Sequence, residues 1–392
     1  MTRSGAAKTG LLALLPLIVL AINLRPALTS VGPLLEPIRA STGLSIQGAG
    51  ILSSLPLILF AICALLGGVH QRIGIKPAVI ACLTLIACGI AIRSIGTSVW
   101  LFGGTFLAAA GIAIANVMMP TIIKLEFANR SSGMTTLYAV AMSLAAASAS
   151  GLAVPMANVL DGDWRLALAV WILPVVLAIA VWTLKTMPAK HPGRLDAASP
   201  QPRRPVWQVP LAWLVTLFMG LQSMFFYTAI AWFPTILKDF GYSAVDAGWL
   251  VTLFQMVGLA STVATPLISR MFSSQSPVAL LASGLIATSL LGLAIYPSQA
   301  LIWTGLFGAG AGSCLVLSLS FIPLRTTDHR QAASLSIMSQ SIGYLIAAVG
   351  TFLTGQLHDL FGNWTVPIIV LAALACAQAL LGYGAGKTRT LT

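Results

Sequence analysis

Arg25 stands in Asn23-Leu24-Arg25-Pro26, two-thirds of the way along an apolar run from about 11 to 33. A guanidinium at that depth in hydrocarbon costs on the order of 2.5–3.5 kcal/mol on insertion scales, and such residues mark substrate or ion pathways. Its planar fork of permanently charged donors suits a small anion. Thr29 lies four residues on, hence on the same helical face. Asn23 is two residues away, roughly 200° around an ideal helix. It shares a cavity with Arg25 only if Pro26 bends or loosens the helix, which its missing N–H permits. Further polar side chains interrupt other apolar runs: Asn116, Tyr138, Gln222, Ser223, Tyr227, Gln255, Gln340 and Tyr344. One cation among neutral donors and acceptors is the composition of a site for a small anion, and these eleven residues are the expected substrate-binding set. The competing expectation is that Arg25 snorkels to an interface and that Ser, Asn and Gln bond between membrane helices for modest energies.

The residues that would support other chemistry are missing from the runs. Of the nine acids, Glu36, Asp161, Asp163, Asp239, Asp246 and Asp359 fall at one set of helix ends, and Glu126, Asp196 and Asp328 at the other. No carboxylate is expected at mid-depth, where proton pumps keep a titrating group. His70, His191, His329 and His358 lie in loops or at their edges, and the five cysteines lack metal-ligand spacing. Neither an enzyme nor a cofactor or metal site is expected.

The elements that position these residues are plain from composition. The chain has 392 residues, 58% hydrophobic and 8% charged. Twelve apolar runs, the first at 11–33 and the last at 365–384, are each long enough to cross about 30 Å of hydrocarbon. The net charge of +12 is distributed by topology. With the N-terminus cytoplasmic, sixteen of the 21 basic residues fall on the inside. Arg39, Arg93, Arg165 and Lys238 are left outside, and Arg25 within the membrane. That asymmetry predicts a multi-pass protein of the bacterial inner membrane with both termini cytoplasmic, a lipid bilayer around it and no nucleic-acid partner.

A polar, Pro-rich stretch at 187–207 divides the runs six and six. It predicts an N-terminal six-helix bundle at 1–186, a cytoplasmic linker, and a C-terminal bundle at 208–392. The halves echo one another at an offset near 200: Asp161 and Trp164 after run 5 correspond to Asp359 and Trp364 after run 11. Parallel repeats of this kind place a solute site between the bundles near the midplane. A single chain with both halves is expected to act as a monomer.

Several stretches carry a family resemblance. Gly67-Gly68-Val69-His70-Gln71-Arg72-Ile73-Gly74-Ile75-Lys76 resembles the loop motif G-x-L-x-D-R-x-G-R-K of the major facilitator superfamily, with Gly67, Arg72, Gly74 and Lys76 matching. Gln71 stands where that motif has an acid. More specifically, Asn23 to Leu35 with Gly50-Ile51-Leu52-Ser53-Ser54-Leu55-Pro56-Leu57 is similar to the cyanate / 2-nitroimidazole transporter family. So are Ala229-Ile230-Ala231-Trp232-Phe233-Pro234, Ser339-Gln340-Ser341-Ile342-Gly343-Tyr344 and His358-Asp359-Leu360-Phe361-Gly362-Asn363-Trp364. The resemblance implies an all-α membrane protein of twelve helices in two pseudo-symmetric bundles, and a cytoplasmic gating loop at Gly67, Arg72, Gly74 and Lys76. It also implies a secondary or facilitative carrier of a small anionic or polar solute, cyanate-like, working by alternating access. The alternative it leaves open is an exporter of 2-nitroimidazole-like or other small drug molecules.

Overall fold

The computed structural model describes residues 14–65, 73–127, 131–185, 205–327 and 329–391. Within them lie twelve helical spans, in order Leu14–Thr42, Ile46–Cys63, Ile75–Arg93, Ser98–Met119, Leu137–Val159, Trp164–Leu184, Pro210–Asp239, Ala244–Ser269, Ser276–Ile295, Pro297–Arg325, Ser334–Phe361 and Thr365–Ala385. They are numbered span 1 to span 12. Large apolar side chains such as Leu173, Val176, Leu177, Leu281 and Leu380 remain exposed on the outer surface. Lipid covers such a surface, because helices satisfy their own backbone groups and need only an apolar exterior. Gly67, Arg72 and nearly all of the linker lie outside the described residues.

The chain reverses at short, chemically specified turns. Gly43, at φ 69°, closes the end of span 1 in the left-handed conformation. Asp163 caps span 6 by accepting from the Arg165 N–H at 2.8 Å, and Ser243 caps span 8 by accepting from the Asp246 N–H at 3.1 Å.

The two halves repeat at the level of atoms. In span 4, a Cβ on Gly111 would sit 2.6 Å from the Cys82 carbonyl of span 3, beside Ile86. In span 10, a Cβ on Gly310 would sit 2.5 Å from the Ala282 carbonyl of span 9, beside Ile286. Both glycines exist so that two helix backbones can touch. The corners repeat as well: Trp164 donates its indole N–H to Ser41 Oγ at 2.8 Å, and Trp364 donates to Asp239 Oδ2 at 2.6 Å. Each ties the loop before the sixth helix of its bundle to the end of the first.

Between the bundles, span 2 packs on span 11, span 5 on span 8, and span 1 on span 7. The face with the Leu184 end of span 6, the Pro210 end of span 7 and the Ala385 end of span 12 is the terminal face; the opposite one is the distal face. On the distal side the bundles are closed against each other. Gly32 of span 1 abuts the Ile230 carbonyl of span 7 so tightly that no Cβ fits. Lys238 and Glu36 form an ion pair across the seam, and Gln47 donates to Asp359 Oδ2 at 3.1 Å. Among the described residues, no hydrogen bond joins the bundles on the terminal side of Arg25.

Candidate solute site between the bundles

Span 1 is not one helix. Its first helix ends at Ala21, residues 22–25 form turns and bends, and a short helix resumes at Pro26–Thr29 before a 3-10 turn at Gly32–Leu34. Arg25 occupies the break with φ −129° and ψ −41°, outside the helical region. Pro26 supplies the cause, having no N–H to continue the ladder and a ring that crowds the preceding turn. Non-helical backbone at this depth is tolerated where protein or a cavity lines it.

The break aims Arg25 across the seam. Its Nη1 donates to the Tyr227 hydroxyl of span 7 at 2.6 Å. Its guanidinium carbon lies 5.5 Å from the centroids of both the Phe226 and Tyr227 rings, within cation–π reach. Tyr227 in turn packs on Phe60 and Tyr344, with centroids 6.3 and 6.2 Å away, and Phe60 meets Tyr344 at 5.3 Å. Tyr138 of span 5 is close enough to act electrostatically on Arg25 and Tyr344. Among the described residues, no carboxylate pairs with Arg25. A buried cation ordinarily requires a partner charge, and here the surroundings supply only a hydroxyl and ring faces.

Arg25 borders a cavity of about 70 Å³ shared by both bundles, with Ser143, Phe226, Phe254, Gln255 and Thr262. Another, of about 40 Å³, lies beside Tyr227 and is lined by Ala27, Ser53 and Thr105 among others. These volumes fall far below the ~300–1,000 Å³ of drug-sized pockets.

Of the residues expected to bind solute, the structure brings Arg25, Tyr227, Tyr344, Tyr138 and Gln255 together. Others are turned elsewhere. The Asn23 amide donates to the Val19 carbonyl at 2.6 Å and to the Pro174 carbonyl of span 6 at 3.0 Å, so it braces the broken span 1 inside its own bundle. Thr29 donates to the Ala146 carbonyl of span 5 at 3.1 Å. Ser223 donates to its neighbour Gln222 at 3.3 Å, both buried in span 7. Gln340 donates to Ser336 one turn back at 2.8 Å, and Asn116 is half-buried with no hydrogen bond among the described residues. Of the loop residues, Gly74 starts span 3 at φ 88°. Lys76 donates to the Thr183 and Lys185 carbonyls, both at 2.8 Å, tying span 3 to span 6 at the terminal face.

Residue-level reading missed Phe60, since an aromatic ring facing a site and one facing lipid look alike in a sequence. It also misplaced Arg93. Counted among the outside basic residues, Arg93 is the last residue of span 3 and fully buried, with Nη1 donating to the Ala27 carbonyl of the broken span 1. Its Nε and Nη2 have no partner among the described residues. Span 4 permits this because Gly104 has no side chain where Arg93 packs, so the end of span 3 is drawn inward instead of snorkelling out.

A sequence profile of the Major Facilitator Superfamily matches residues 17–341. The chain belongs to that superfamily. Within it, the 2-nitroimidazole transporter of Escherichia coli (strain K12) is 38% identical, over 96% of this chain and 95% of its own. The cyanate transport protein CynX of the same strain is 29% identical, over 90% of this chain and 91% of its own. These relatives place this superfamily member in the cyanate / 2-nitroimidazole transporter family, and it is a transporter, not an enzyme. Among solved structures, a D-xylose–proton symporter superposes with a TM-score of 0.77 over 96% of this chain and 98% of its own, at 14% identity. That likeness speaks for the major facilitator fold alone.

Proposed function

We propose that this transporter moves a small, planar, anionic or strongly polar solute by alternating access around Arg25. The observation that carries the reading is the half-buried guanidinium at the seam of the two bundles, with one hydroxyl partner and no carboxylate among the described residues. A solute's negative group completes that site. Ring faces of Phe226, Tyr227 and Tyr344 then favour a flat solute over a tetrahedral one.

The site belongs to a protein of the bacterial inner membrane, monomeric in lipid, with both termini cytoplasmic, a reading supported by the bias of basic residues along the sequence. The distal face is then periplasmic, and the bundles rock apart there to admit or release solute. Export of a 2-nitroimidazole-like molecule is the second reading. It is favoured by the aromatic lining and by similarity to a transporter named for that solute.

Purified protein in proteoliposomes tests the first reading, with a panel of small anions and neutral nitro-heterocycles. Arg25→Ala should abolish uptake while leaving folding and insertion intact, and Arg25→Lys should recover part of it, because the bidentate fork is lost. Normal transport by Arg25→Ala sinks the anion site.

A further inference from the structure

Gln255 of span 8 borders the same cavity as Arg25 and is 5% exposed. Its amide orientation is set by chemistry. Nε2 lies 3.1 Å from Ser150 Oγ and 3.4 Å from the Val251 carbonyl oxygen. A carbonyl can only accept, so the NH2 must face Val251. Ser150 is committed in turn, donating to the Thr29 carbonyl at 3.2 Å, which leaves its lone pair for Gln255. The amide oxygen of Gln255 therefore points the other way and has no donor among the described residues. A buried amide oxygen without a donor is costly and rare.

The other polar groups lining the cavity do not supply that donor. Thr262 spends its proton on the Gly258 and Gly312 carbonyls, at 2.9 and 3.3 Å. Ser143 makes no hydrogen bond among the described residues and can serve in either sense. Arg25 donates and never accepts. The N-terminal bundle thus brings the Arg25 donors to this cavity, and the C-terminal bundle brings Gln255, whose amide oxygen has no donor among the described residues.

We propose that Gln255 determines specificity: its amide oxygen accepts a hydrogen bond from an N–H or O–H of a solute whose electron-rich group is held by Arg25. The inference rests on the reading of Arg25 given above. It narrows the substrate class to small flat molecules carrying both an acceptor or anionic group and a donor, and it disfavours anions that lack a donor. Only such a solute bonds both bundles at once, which couples occupancy to closure of the seam.

The test is binding to the purified full-length protein of two solute pairs that differ in the donor. One pair is 2-nitroimidazole and its N-methyl derivative; the other is 4-hydroxybenzoate and 4-methoxybenzoate. The parent should prefer the donor-bearing member of at least one pair by tenfold or more. In Gln255→Met that preference should fall to about one, and in Ser150→Ala it should persist, because the amide oxygen is still present. Gln255→Leu serves as a second replacement, and thermal unfolding verifies that each variant is folded. The Ser150 variant separates recognition of solute from the inter-bundle bond that Gln255 also makes, and the variant comparison cancels the bulk of the added methyl. A parent that binds both members of each pair equally overturns the proposal while leaving the Arg25 site standing. So does a preference that survives in both Gln255 variants. A parent that binds none of the four removes the Arg25 reading, and this one with it.

Discussion

Arg25 and Arg93 both reach into the N-terminal bundle, one half-buried and the other fully buried, and they differ in what surrounds them. Arg25 has an aromatic hydroxyl, two ring faces and a cavity; Arg93 has one backbone carbonyl and two N–H-bearing nitrogens without a partner among the described residues. A buried charge satisfied so incompletely contributes little to stability, and an apolar side chain of similar volume is often neutral or better. Arg93→Met is accordingly expected to unfold in detergent at a temperature no lower than the parent. Its transport should fall, because the Ala27 carbonyl beside the break loses its anchor and Arg25 its fixed bearing. Thermal unfolding and initial uptake rates check both halves; a large drop in unfolding temperature would mean that Arg93 stabilises the fold after all. The sequence reveals one of these residues and hides the other. Arg25 is legible because it stands well inside a hydrophobic run, with no other charged residue between Lys8 and Glu36. Arg93 ends its run, and hydropathy cannot distinguish a helix end that enters a loop from one that turns inward beside a glycine in the next span. Asn23 misleads in the opposite sense: its neighbour's role is visible, but the partner that captures it, the Pro174 carbonyl, is 151 residues away.

At the scale of elements, the working part is the contact between broken span 1 and span 7. Gly32 lies where the two backbones meet, with the Ile230 and Ala231 carbonyls against it. Gly32→Val places a branched side chain in that contact and should hold the distal face apart. The carrier should then remain folded, lose uptake by about tenfold or more, and expose a reporter cysteine at position 223 or 227 to a membrane-impermeant thiol reagent from the distal side. A variant whose reporter stays as protected as in the parent would show that this contact is not what closes the seam. Boundaries of the elements are largely readable in the chain, since twelve apolar runs correspond to twelve spans. The fracture within span 1 is readable only as a permission granted by Pro26; the direction in which it turns Arg25 depends on which helix lies opposite, and the offset near 200 points to span 7 without giving Tyr227 its hydroxyl bond.

For the whole molecule, the closed distal face is held by few polar links. Glu36 is 62% exposed in its ion pair with Lys238, and such pairs are worth about 0–1 kcal/mol. Gln47 with Asp359 is also exposed. Bonds this weak leave the two faces close in free energy, as a carrier that must visit both states requires. Lys238→Gln should therefore shift the population toward the distal-open state by no more than about fivefold, and Glu36→Gln should shift it in the same direction. High salt should reproduce part of the shift in the parent and none in either variant. Distances between labels on spans 1 and 7 measure it; opposite shifts in the two variants would rule out the pair as a shared lock.

The charge at Arg25 has an electrical consequence. On the proposed reading, the empty carrier holds at its seam a positive charge with no carboxylate partner among the described residues, and an anion bound there makes a neutral pair. Across a membrane, one elementary charge experiences about 2.3 kcal/mol per 100 mV when it crosses the full field. Arg25 stays near the middle as access alternates, but the water-filled side changes, so the field is redistributed around it and a fraction of that energy is felt on each empty reversal. Voltage therefore bears on the return of the unloaded protein more than on the passage of its cargo. An interior-negative potential draws the empty form toward the state in which Arg25 is electrically closer to the cytoplasm, and so biases where the transporter waits for its next solute.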